Sequence, residues 1–116
     1  GRVLVQEDPG NTSYIAKTWE VNPKHPLDAV QILESDRNRF LVGAPSFLTT
    51  DEENSGVIEV TDLVRPAWWF DRGRRYYLGV TQGHYATTAE LVEGGQLYLI
   101  ISGDRRYDRH DDDDDR

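Results

Sequence analysis

"SGVIEVTDLVRPAWWFDRGRRYYLGV", residues 55–80, is the stretch on which the reading of this chain turns. At its ends Ile58 alternates with Val60, and Tyr76 with Leu78 and Val80. A period of two puts every second side chain on one face of an extended strand, so both ends are strands whose apolar residues call for burial. The middle differs in kind: it carries adjacent Trp68 and Trp69 and the arginines Arg65, Arg72, Arg74 and Arg75. In an extended strand Trp68 and Trp69 face opposite ways. The one that reaches solvent beside Arg65 or Arg72 is then a partner-binding anchor, because Trp and Arg are enriched at interface hot spots. The alternative folds both rings over the sheet as a cap on a small core, with a stacked arginine adding about 0.5–1 kcal/mol.

The same alternation recurs along the chain. Val3 pairs with Val5, Val30 with Ile32, Phe40 with Val42, and Leu97 with Leu99 and Ile101. "DPGN", "VNPKHP", "ESDRN", "GAP", "ENSG" and "EGG" supply turn chemistry between these runs. Trp19, beside Ile15 and Val21, is expected in the core. Helical period is weak everywhere; "ATTAELVE" (86–93) fits a short helix or a strand equally well. Six or seven short strands at roughly ten-residue spacing predict an all-β, seven-strand Greek-key β-sandwich of immunoglobulin-like kind.

A chain of 116 residues is one domain's worth, able to close a core without staples. Cysteine is absent, which removes disulfides, thiolate nucleophiles and sulfur-ligated zinc. No run of 18 apolar residues and no leader pattern is visible, so no direct membrane insertion by this segment is expected. The formal charge is −8, from 21 acidic and 13 basic side chains. Such a surface disfavours nucleic acid and anionic lipid and favours cations. Much of the acid lies in "GDRRYDRHDDDDDR", whose consecutive aspartates repel one another and bury nothing. The expected division is therefore a sandwich over 1–103 and an acidic tail or linker over 104–116.

With the strands in place, "VLVQEDPGNTSYI", "FLV", "SGVIEV" and "FDRGRRYYLGV" follow in an order that resembles the cadherin repeat, over about residues 3–103. The resemblance implies a cadherin-like domain, one extracellular module of a tandem array with a role in cell adhesion. It would belong to the extracellular part of a cell-membrane protein or to a secreted one. Its partners would be neighbouring cadherin repeats of the same chain and a protein on another cell-surface molecule. The resemblance also implies calcium at the junctions between repeats, with metal candidates Glu7, Asp71, Asp104 and, more loosely, Asp108. Calcium takes six to eight oxygens at about 2.3–2.6 Å, more than these supply, so the sites are expected to be incomplete and completed by a neighbour. Where the family has glutamate after its Asp-Arg pair, this chain has Gly73, or Pro66 in the other alignment.

No catalytic constellation emerges, and the reading is of a protein that is not an enzyme. His25, His84 and His110 are expected in separate loops without metal-ligand spacing, and no nucleophile elbow is present. Asp51, Glu52 and Glu53 are expected in one solvated turn rather than across a cleft. "NTS" at Asn11 is a glycosylation sequon in an expected turn. The rival function is a carbohydrate-binding β-sandwich module that stacks sugar on an exposed Trp68 or Trp69.

Overall fold

A computed structural model describes residues 1–85 and 93–103, which form two three-stranded antiparallel sheets. The first contains β1 (Val3–Gln6), β2 (Lys17–Asn22) and β3 (His25–Glu34). The second contains β4 (Glu52–Glu59), β5 (Tyr76–His84) and β6 (Glu93–Ile101). Each sheet is a meander of consecutive strands. The all-β class read from the alternation is therefore what the described residues show, as six strands in two sequential triplets.

Local chemistry explains the joins. Gly10 takes a φ of 64° in the turn after β1, and its amide donates to the Asp8 carboxylate. That conformation costs glycine little and other residues more. The expected strand at Phe40 and Val42 is instead a one-turn helix, α1 (Arg37–Phe40), followed by turns. The "SDRN" phrase decides this: Asp36 is the N-cap, its side chain accepting from the Asn38 amide. An N-cap carboxylate satisfies a donor that an incipient helix otherwise leaves open. A second single turn, α2 (Thr61–Val64), precedes the tryptophan segment. The Thr61 hydroxyl accepts from the Tyr76 amide at 3.0 Å and so fastens α2 to the start of β5.

The registers also show which face of each strand points inward. On the second sheet Ile58, Leu78 and Leu99 stand in one cross-strand row, and Val80 and Leu97 in the next. The opposite face carries Val57, Gly79 and Tyr98 in one row and Asn54, Thr81 and Gln96 in another. Tyr98 lies on the inner side, because its hydroxyl accepts from the Gln6 amide of the first sheet at 3.0 Å. The aliphatic rows of β4–β6 thus face outward: Leu97 is 66% and Ile58 60% exposed. Val3 and Val5 on β1 are also exposed.

The space between the sheets is held largely by hydrogen bonds. The Ala16 amide donates to Glu52 at 2.8 Å and the Asn54 amide to the Glu7 carbonyl at 3.1 Å, while within the second sheet the Thr81 hydroxyl donates to the inward Asn54 side chain at 2.6 Å. Among the described residues buried apolar side chains are few, including Ile15, Val60, Tyr76 and Ile100. Trp19, expected in the core, is half-buried on the outer face opposite Val5, and its indole N–H donates to the Glu7 carboxylate at 2.8 Å. The "ATTAELVE" segment, up to Val92, lies outside the described residues, as does the acidic tail from Asp104 onward.

Candidate functional site

Two features have the character of a site: the outer surface of β4–β6 with the tryptophan loop, and a cavity between the sheets. The loop after α2 is irregular rather than a strand, so the opposed-face geometry expected for Trp68 and Trp69 does not arise. The rings nevertheless divide their roles. Trp69 and Phe70 pack on Tyr76, with ring centroids 5.5 Å and 5.3 Å away, while Trp68 is 95% exposed. Tyr76, 1% exposed, is the post on which this cap rests, and its hydroxyl accepts from the Asp71 amide at 2.8 Å. Arg65 is ion-paired with Asp62 of α2 and remains largely exposed; Arg72 is exposed. The anchors Arg65, Trp68, Trp69 and Arg72 thus share one loop at the end of the apolar outer face, with Trp69 half engaged in packing.

The carboxylates assigned to calcium are occupied locally. Glu7 accepts from the Lys17 amide, the Trp19 indole and the Tyr14 hydroxyl. Asp71 accepts from the Gly73 amide at 2.8 Å and pairs with Arg74 at 3.4 Å. Among the described residues no group of three or more His, Cys, Asp or Glu side chains converges. Asp104 and Asp108 lie outside the described residues. Asn11 is exposed, and its side-chain oxygen accepts from the Thr50 hydroxyl.

The expected solvated turn at Asp51–Glu53 is corrected by the structure. Glu52 opens β4 and is 1% exposed, because its position faces inward toward the first sheet. One carboxylate oxygen accepts from Ala16; the other has no partner among the described residues. Burial, the largest influence, raises its pKa above the ordinary glutamate value, against hydrogen bonding from the Ala16 amide. Glu53, on the other face, stands 3.7 Å from His84.

The cavity is about 450 Å³ and opens between the sheets. Its walls include Leu33, Phe40, Leu48, Tyr85 and Tyr98; Thr18, Ser35, Asn54, Thr81 and Gln96 supply neutral polar groups. Glycines make the room. Gly83 and Gly94 are cross-strand partners, so neither β5 nor β6 places a side chain on the inner face there. A Cβ on Gly94 would fall 2.4 Å from the Tyr85 hydroxyl, and one on Gly79 2.5 Å from the Tyr98 ring. Thr18 lines the cavity, is fully buried, and its hydroxyl has no partner among the described residues. Such an orphan costs roughly 1–3 kcal/mol.

The alternation pattern passes over this cavity because its strand residues are largely the polar and glycine positions, and Phe40, Leu48 and Tyr85 reach it from outside the strands. The signal that marks it is glycine inside strands, at 83, 94 and 95, where close approach of another group is the usual reason.

The fold and these two features define a β-rich, two-sheet module with an uncovered apolar face. Comparison with protein families, curated proteins and solved structures finds no match to the chain. No helix among the described residues is long and apolar enough to cross a membrane.

Proposed function

We propose that the chain is a structural, protein-binding module in cell adhesion, a cadherin-like repeat of Greek-key immunoglobulin-like type, docking through the outer face of β4–β6. One observation carries the docking: on one face of the second sheet Ile58 and Leu99 stand exposed in the same cross-strand row, on either side of Leu78, with Leu97 exposed two residues along β6. Exposed apolar residues grouped on one face, rather than scattered singly, mark interaction sites. Trp68, in the loop whose Trp69 and Phe70 pack on Tyr76, adds a solvent-facing aromatic anchor. What supports the cadherin-like assignment is the order of its sequence phrases; a Greek key also needs a strand exchanged between sheets, beyond the two sequential triplets described.

The occupant in this reading is the matching face of a second β-module, the simplest case being another copy meeting it about a two-fold axis. An extracellular setting goes with it, in a cell-surface or secreted chain. Calcium then acts at junctions. Glu7 and Asp71 would turn from their present hydrogen bonds toward an ion that a neighbouring module helps to surround. Sedimentation over a concentration series tests the docking. Self-association should appear and be lost in Leu97→Lys/Leu99→Lys; a chain that stays monomeric at every concentration, with millimolar calcium present, sinks this reading.

A further inference from the structure

We propose that the cavity between the two sheets binds a neutral sugar ring of monosaccharide size, at a site separate from the outer apolar face and independent of the protein-binding reading. The lining selects the ligand class. Tyr85, Tyr98, Phe40 and Leu33 give apolar and aromatic surface, while Thr18, Asn54, Thr81 and Gln96 give hydroxyls and amides; the Thr81 hydroxyl, which donates to the Asn54 oxygen, is left to accept from a ligand hydroxyl. A pyranose has this double character, with a C–H patch that rests on an aromatic ring and a rim of hydroxyls.

Charge argues the same way. Among the described lining residues Arg39 is the one cation, against Glu34 and Asp36, on a chain of net charge −8, which disfavours an anion. A cation finds no ready carboxylate either: Glu34 is bonded to Arg37 and paired with Lys17, and Asp36 caps α1. The second, independent observation is Thr18, fully buried with an unpaired hydroxyl in the cavity wall. A polar atom left unsatisfied in the free protein is what a site prepared for a ligand hydroxyl contains.

The test is saturation-transfer NMR with D-glucose, D-galactose, D-mannose and N-acetyl-D-glucosamine, and adenosine as a planar probe. Saturable binding of at least one sugar is expected, with a Kd of about 1 mM. Thr81→Val should weaken it about tenfold. Thr18→Val should melt at a higher temperature without sugar yet also bind more weakly, a combination that a purely structural threonine does not produce. Gln96→Ala, on the exposed edge strand, provides a third variant if either threonine change prevents folding. The proposal is overturned if no sugar saturates the protein, if adenosine binds and the sugars do not, or if every folded variant keeps wild-type affinity.

Discussion

Glu52 shows how one buried carboxyl couples folding to pH. Burial lifts its folded-state pKa above the value in the unfolded chain. Between those two values the folded state holds more protons, so stability falls as pH rises through the interval; below the unfolded value, near 4.3, the penalty is absent. Glu52→Gln keeps an acceptor for the Ala16 amide and removes the charge. It should raise the melting temperature at neutral pH and flatten its decline from mildly acidic conditions upward; an unchanged slope would assign the decline elsewhere. Tyr76 tests a different bond. Tyr76→Phe keeps the stacking of Trp69 and Phe70 but leaves the Asp71 amide without its acceptor. Urea titration should show a loss of about 1 kcal/mol.

At the scale of elements, the inner face of β5 and β6 joins the two sheets through fit rather than through apolar area. Tyr98 fills the space above Gly79 and reaches Gln6 of the first sheet. Gly79→Ala should displace that ring and cost about 1–3 kcal/mol. The cost should shrink in a Tyr98→Ala background, which a double-mutant cycle measures directly. The tryptophan loop gives a second contrast. Trp69→Ala uncovers Tyr76 and should destabilise the chain, whereas Trp68→Ala should leave stability within about 0.5 kcal/mol of wild type. Equal losses for the two would mean that Trp68 packs after all.

The whole molecule responds to what binds or modifies its outer surfaces. In the adhesive reading, millimolar calcium should raise the melting temperature, since an ion that prefers the folded state adds RT ln(1 + [L]/Kd) of stability. The measurement belongs on a chain carrying its neighbouring modules, and no shift there removes calcium from the reading. Secretion from a eukaryotic host should add a glycan at Asn11, seen as a mass shift lost in Asn11→Gln.

Alternation in the sequence was enough to place β1, the C-terminal halves of β3 and β4, the first half of β5 and most of β6, because a period of two is written by side-chain type alone; "ENSG" and "EGG", expected as turns, are instead strand residues of β4 and β6. The Asp36 cap was present in "ESDRN" but was outweighed by Phe40 and Val42, whose spacing fits a strand equally well. Alternation cannot say which face turns inward, since a strand and its partner offer two sides and only packing chooses between them. The tertiary structure chose the less expected one: Thr18, Asn54, Thr81 and Tyr98 meet between the sheets, and Ile58, Leu97 and Leu99 look outward. For the same reason Glu52, which reads as a solvated turn residue, is buried, while Glu7 and Asp71 are bound up in local hydrogen bonds. Long-range proximity sets the partner of every one of these groups, and proximity is a property of the folded chain.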